Sequence, residues 1–307
     1  MANIYRHYEN RDLSWLKFNE RCLEEAEDPA NPIFERLMFM SIWQTNLDEF
    51  FMVRVGGIHD RLLFNKNITD NKSGMTDAQQ LTAIHDALAR LLKRVDRSYE
   101  KLFAEFKKLG LVQVRFDNIS KFDFAFLERH FDREILPYLS PDIIDAKHAF
   151  PFLENNALYL GVTMCRGRGH MNLGIVPIRQ AFPRIVMIPS QKNKFILTED
   201  LIFYFADRIY DKFKVSEKAI FRITRNADLD AEEALEDHEK LDYRKSMEVL
   251  LKKRKRLAPV RIEFYDGEID MLEDLITKNL KLNKTHTFKR KIPLDLSYIS
   301  ELRKVYK

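Results

Sequence analysis

Between residues 81 and 102 the apolar side chains fall at Leu81, Ile84, Leu88, Leu91, Val95 and Leu102, steps of three, four and seven that only a helix gathers on one side. Thr76 and Gln79 stand ahead of this run with the spacing of a capping box, and Gly110 closes it. A helix of this length cannot bury its stripe alone. It needs neighbours of the same kind, in an antiparallel bundle or a coiled-coil seam. Two more patterns upstream supply them. Residues 12 to 26 read as a helix capped by Asp12 or Ser14, with Trp15, Phe18, Cys22 and Ala26 near helical period. "DPANP" ends it, and a second pattern runs from Ile33 through Leu37, Met40, Trp43, Leu47 and Phe50 towards Leu63, with "VGG" at 55 to 57 as the expected kink. "NKNITDNKSGM" is a polar connector. Residues 1–108 are therefore expected to form an all-helical N-terminal domain.

The pattern changes after Gly110. "LVQVRF", "ALYLGVTMC", "NLGIVPI", "RIVMIP", "KFILT", "IFRITR" and "PVRIEF" are short β-rich runs, separated by helical candidates at about 120–135, 199–213, 231–256 and 268–281. Thr198 before Glu199 and Asp200 suits a helix start. Residues 109–307 are thus expected to form an α+β domain with a mostly antiparallel or mixed sheet, making the chain an α+β multidomain protein. With 307 residues, 45% of them hydrophobic and 32% charged, two cores of ordinary size are within reach.

Several chemistries lack their residues. Apolar stretches are broken by charge before the roughly 20 residues a bilayer requires, and the N-terminus has no signal-peptide core, so a cytoplasmic address is expected. Cys22 and Cys165 have no C-x-x-C spacing, which suggests neither a disulfide framework nor a zinc site. A formal charge of +4 is too balanced to argue for nucleic acid. No G-x-x-x-x-G-K-[ST] loop is present, no histidine pair has H-E-x-x-H spacing, and no nucleophile elbow occurs. "RGRGHMNLG", with Arg166–Gly169 at its start, could hold an anion but reads better as a hairpin turn. "KKRKR" (Lys252–Arg256) ends an acidic-to-basic helix as the macrodipole prefers; a polyanion-binding face is the alternative. His238 and Lys240 imitate the opening of an H-x-K phospholipase-D-type site, but the position five beyond Lys240 is Lys245, not Asp.

Asn46 is the residue that ordinary packing explains least. On a 3.6-residue period it aligns with Trp43, Phe50 and Val53, so its amide faces an apolar seam. Left unpaired there it would cost about 1–3 kcal/mol. Its partner is either a neighbouring helix or a ligand, because an amide's donor and acceptor together suit the edge of a base. Asp48 and Glu49 are expected to pair or cap, with Arg54 or Arg11 as partners.

Residues 10 to 55, "NRDLSWLKFNERCLEEAEDPANPIFERLMFMSIWQTNLDEFFMVRV", resemble the opening of the polyphosphate kinase family, in which N-R-E-L-S-W-L-x-F-N-x-R-V-L and S-N-L-D-E-F-F are hallmarks. "KHAFPFLENNALYLGV", "FPRIVMIP", "FILTEDLI", "FRITRNADLD", "PVRIEF" and "PLDLSYI" resemble successive blocks of that family's middle domain, in order. Asp12, Thr45 and Ala149 depart mildly from the usual Glu, Ser or Asn, and Pro. The resemblance implies the N-terminal and middle (head) domains of an enzyme that reversibly transfers the ATP γ-phosphate to polyphosphate through a phosphohistidine. It further implies that the phospholipase-D-like catalytic domains, with the reactive histidine and the Mg²⁺ ligands, lie beyond Lys307. This portion would then position nucleotide and assist dimer or higher homo-oligomer assembly, in the cytoplasm or peripheral to the inner membrane, with no catalytic residue of its own. Of the family's nucleotide contacts, only the Asn of N-L-D-E-F maps here, to Asn46. The rival expectation is a stand-alone, non-catalytic dimerisation or anion-binding module.

Overall fold

A computed structural model of the chain describes residues 8–63, 68–116, 119–145, 148–165, 171–178, 180–190, 193–226, 258–265 and 267–306. Its first helix, α1 (Arg11–Glu27), is capped by Asn10, whose side chain accepts from the Asp12 and Leu13 amides. The cap is therefore Asn10 rather than Asp12 or Ser14, and Asp12 sits in the first turn where the dipole favours an acid. The buried residues are Asp12, Leu16, Asn19, Leu23 and Ala26: Ala26 is buried as expected, Leu16, Asn19 and Leu23 replace their neighbours Trp15, Phe18 and Cys22, and Phe18 is 55% exposed. That register turns Leu16, Leu23 and Ala26, with Asn19 among them, to the bundle and leaves Trp15 at its border, stacked on Phe50 at 4.3 Å.

The second pattern is helical to Leu63, and Gly56 keeps a helical backbone. α2 (Ile33–Phe50) passes through a π turn (Phe51–Val55) into α3 (Gly56–Leu63). The extra residue in that turn rotates the face that follows, so Phe51 and Val55 are buried and Val53 is 42% exposed. Gly56 serves a close approach instead: a Cβ there would lie 2.3 Å from Asn226 Oδ1. α4 (Asp77–Lys108) begins with the expected Thr76/Gln79 capping box and packs on α1, α2 and α3.

Beyond Gly110 the chain alternates strands with helices. β1 (Val112–Gln113), α5 (Lys121–His130), β2 (Asp142–Ile144), β3 (Leu158–Cys165), β4 (Met171–Ile178), β5 (Ile185–Met187) and β6 (Lys194–Leu197) come first. α6 (Thr198–Tyr204), α7 (Ala206–Ile209), β7 (Lys214–Arg225), β8 (Pro259–Tyr265), α8 (Asp270–Leu280), β9 (Thr287–Arg290) and α9 (Tyr298–Val305) follow. Six strands form one sheet in the order β2-β4-β3-β7-β8-β9, antiparallel except for the parallel β8–β9 pair, and a small mixed sheet is ordered β1-β6-β5. β3 and β4 pair as far as Cys165 opposite Met171, which makes them a hairpin as expected. The residues of its turn, Arg166–Gly169, lie outside the described residues, as do Lys252–Arg256, His238 and the helix expected over 231–256. Thr198 opens α6 without capping it; its hydroxyl donates to the Pro183 carbonyl.

One core runs from the helices into the sheet. Leu37, Trp43, Leu88 and Phe106 of the bundle share it with Phe195, Val260, Phe288 and Ile299. Two further cores fill the two faces of the larger sheet.

Candidate functional site

Asn46 lies on α2 at the solvent rim of the seam with α1. Its Nδ2 donates to Asn19 Oδ1 at 3.1 Å and lies 3.8 Å from Cys22 Sγ. Asn19 is buried and in turn donates to the Trp43 carbonyl at 3.0 Å. The amide partner that the sequence required is thus a neighbouring helix. Only the donor end is used, however: among the described residues nothing donates to the Asn46 oxygen, and the side chain is half-buried. The expected alignment with Val53 fails because the π turn swings that residue outward. One turn before Asn46, Ile42 is exposed (41%), and Glu49 also faces solvent. An amide oxygen one helical turn from an exposed aliphatic side chain, its donor already held, can accept one hydrogen bond from a flat, partly apolar ligand.

What holds this face still is Asp48, and its partners correct the expected ones. Neither Arg54 nor Arg11 pairs with it. Asp48 points inward and receives Arg222 at 2.7 and 3.2 Å and Arg261 by a short contact. The chain of charge continues from Arg261 to Glu263 (3.4 Å), to Arg290 (2.8 Å) and to Asp96 on α4 (2.7 Å). Three carboxylates thus face three guanidiniums in a buried row that begins on α2 and ends on α4, with β7, β8 and β9 between. Strand register builds it: Arg222 stands opposite Glu263 and Thr224 opposite Arg261, so the inward charges share one sheet face. Thr224 Oγ1 accepts from Arg261, and the guanidinium lies 4.8 Å above the Phe51 ring. Burial alone would raise the Glu263 carboxyl, but Arg261, Arg290 and Arg222 outweigh it and hold the group below its usual range.

Gln44, one turn before Asp48, adds a second link. Its Nε2 donates to the Leu294 carbonyl (2.7 Å) and its oxygen accepts from the Leu296 amide (2.6 Å). A third contact zone is imidazole-rich: His85 of α4 lies 5.0 Å, centroid to centroid, from His286, which is 6.4 Å from His59 of α3. Burial, helped by the neighbouring ring, pushes His85 and His286 each down to about 4.

The sequence singled out Asn46 but missed Arg222, Arg261, Glu263, Arg290 and Asp96. A signal was present in "PVRIEF", where Arg261 and Glu263 alternate with apolar residues, and more weakly in "IFRITR", where Arg222 and Thr224 do, so that each polar pair must share one face of its strand. A hollow of about 690 Å³, lined by His130, Glu134, Tyr138, Phe182, Pro183 and Thr198, contains neither Asn46 nor the ion-pair row. Among the described residues no group of three or more His, Cys, Asp or Glu side chains is placed to hold a metal ion.

Comparison with known proteins covers nearly the whole chain. Residues 8–114 match the family model described as the polyphosphate kinase N-terminal domain, and residues 123–302 that of the polyphosphate kinase middle domain. The polyphosphate kinase of Halalkalibacterium halodurans is 39% identical over 301 residues, covering 96% of this chain and 42% of that protein. That of Bacillus cereus is 38% identical over 311 residues, covering 98% and 44%. The crystal structure of the Porphyromonas gingivalis polyphosphate kinase superposes with a TM-score of 0.74 at 22% identity, covering 95% of this chain and 40% of that one, a likeness of fold. The chain spans less than half the length of these relatives.

Proposed function

The chain belongs to the polyphosphate kinase family, and from that premise we propose that it is the nucleotide-positioning and subunit-assembling portion of an enzyme that reversibly moves the ATP γ-phosphate onto polyphosphate. The observation that carries the reading is Asn46: its donor is held by Asn19, its oxygen is left over, and it faces out from a helix locked to the sheet through Asp48. In this reading the oxygen accepts from the exocyclic amine of adenine, with Ile42, one turn away, beside the ring. Asn46 lies on open helix surface, which fits a site whose other wall comes from elsewhere in the full-length protein.

Such a portion contributes by orientation. Phosphoryl transfer depends mostly on positioning and on stabilising charge at the moving phosphoryl group, and a nucleotide held within a fraction of an ångström of its reactive pose has part of the barrier already met. The phosphohistidine and the residues that bind Mg²⁺ would lie outside these 307 residues, and no step assigned to this chain runs through a metal ion. The assembly role, in a homodimer or higher homo-oligomer, rests on the family resemblance. No described helix is long and apolar enough to cross a membrane; we place the protein in the cytoplasm.

The test is synthesis. The full-length protein, given ATP and Mg²⁺, is expected to make long-chain polyphosphate and to become labelled on histidine, while residues 1–307 alone do neither. A full-length protein that binds ATP without making polymer would leave only a binding module, and polymer made by residues 1–307 alone would refute the division of labour.

A further inference from the structure

We propose that the groove between α4 and β9 binds an inorganic polyphosphate chain, a reading that rests on the polyphosphate kinase assignment above. The groove, about 580 Å³, is lined by Arg90, Lys93, Arg97, Lys289 and Lys291, together with Asp96 and Glu100. All five cations are exposed. Arg90, Lys93 and Arg97 recur at helical spacing along one side of α4, a row about 10 Å long. Lys289 and Lys291 flank inward-facing Arg290 and so stand on the outer face of the strand end.

The charge here is unbalanced. Asp96 is turned inward onto Arg290 and the Lys291 amide, and Lys289 is engaged by Glu273 at 3.1 Å. Among the described residues the Arg90, Lys93, Arg97 and Lys291 side chains meet no carboxylate; Arg97 Nε donates only to the Lys93 carbonyl at 3.2 Å. Arg94, in the same stretch of α4, shows the contrary arrangement: it turns to the other side and is gripped by Glu20 and Glu27. Against these four cations stands the carboxylate of Glu100, which leaves a trough of positive potential, whereas at Arg94 neighbouring acids neutralise the charge. Ligand class follows from what lines it. No aromatic side chain does, so a base has nothing to stack on, and single-stranded nucleic acid would meet the charges alone. A chain of phosphates, without bases and with charge along its whole length, can meet the cations of both elements in turn.

The experiment measures binding of long polyphosphate and of tripolyphosphate to the full-length protein across a salt series, for wild type and Lys93→Glu/Arg97→Glu/Lys291→Glu. Affinity for the long chain should fall at least about tenfold, and the slope of log affinity against log salt should shrink by about two, as expected when three phosphate contacts are removed. Tripolyphosphate binding, too short to span the row, should change far less, and the urea midpoint should hold. If the triple variant does not fold, Lys93→Ala/Arg97→Ala should show a smaller loss in the same direction, and Lys93→Arg/Arg97→Lys none. Unchanged long-chain affinity and slope would overturn the proposal. So would a loss that accompanies a changed oligomeric state, which would make the groove a contact for another subunit's acidic surface, or single-stranded DNA competing as well as polyphosphate. A wild-type protein that synthesises polymer while the variant binds it equally well sinks the groove alone; a wild-type protein that makes no polymer sinks the kinase reading.

Discussion

Replacing Asp48 by alanine should destabilise the protein more than any exposed charge deletion, and the structure sets the size. The carboxylate accepts from Arg222 at 2.7 and 3.2 Å and also from Arg261, and both arginines are buried. Truncation leaves a row of two carboxylates and three guanidiniums with one positive charge stranded away from water. Breaking a buried pair in this way costs about 3–5 kcal/mol, a large share of a stability that is commonly about 5–15 kcal/mol. The loss exceeds the net worth of the pair, because most of it is the penalty on the arginines left behind. Glu35→Ala is the control. Its bond to Arg303 is equally short, 2.7 Å, but both side chains are about half exposed, and such a pair is worth less than about 1 kcal/mol. Urea unfolding of the full-length protein, read by midpoint and slope, separates the two. An Asp48→Ala loss no larger than that of Glu35→Ala would refute the idea that this row ties the helices to the sheet.

Gly56→Ala should also destabilise, by about 1–3 kcal/mol, because the new methyl would meet Asn226 Oδ1 at 2.3 Å in a closed contact; a melting temperature equal to wild type would show that Asn226 yields freely. Stability should fall as pH drops from 7 to 5. His85 and His286 titrate near 4 when folded against an ordinary value of 6.5, so the unfolded chain binds more protons throughout that window, worth up to about 2 kcal/mol per imidazole by pH 5. The gap between urea midpoints at the two pH values should shrink by about half in His85→Phe, which leaves His286, and an equally steep wild-type and variant profile would place the proton uptake elsewhere.

Elements with their own local punctuation could be read from sequence. α4 carries a capping box, a sustained apolar stripe and a terminal glycine, and it forms where those signals put it. Elements that exist only because of a distant partner could not. β2 and β9 are three and four residues long and owe their state to pairing with β4 and β8. The π turn at Phe51–Val55 likewise leaves no mark in the apolar spacing, and by rotating Val53 outward it turned a seam into a rim around Asn46. At the candidate site, the residue with a family motif was found, whereas its anchors were not. Asp48 pairs with residues 174 and 213 positions away, and no local pattern joins such distances. The alternation of Arg261 and Glu263 in β8 announced an inward charged face without saying what would meet it.

The central claim is that Asn46 faces nucleotide, and ATP binding to full-length Asn46→Ala measures it most directly. The proposed contact predicts weaker ATP binding, by about tenfold for one lost hydrogen bond to a polar ligand edge, with a urea midpoint lowered only by the single rim bond to Asn19. Wild-type ATP affinity in a variant that remains folded would contradict it and return Asn46 to helix packing.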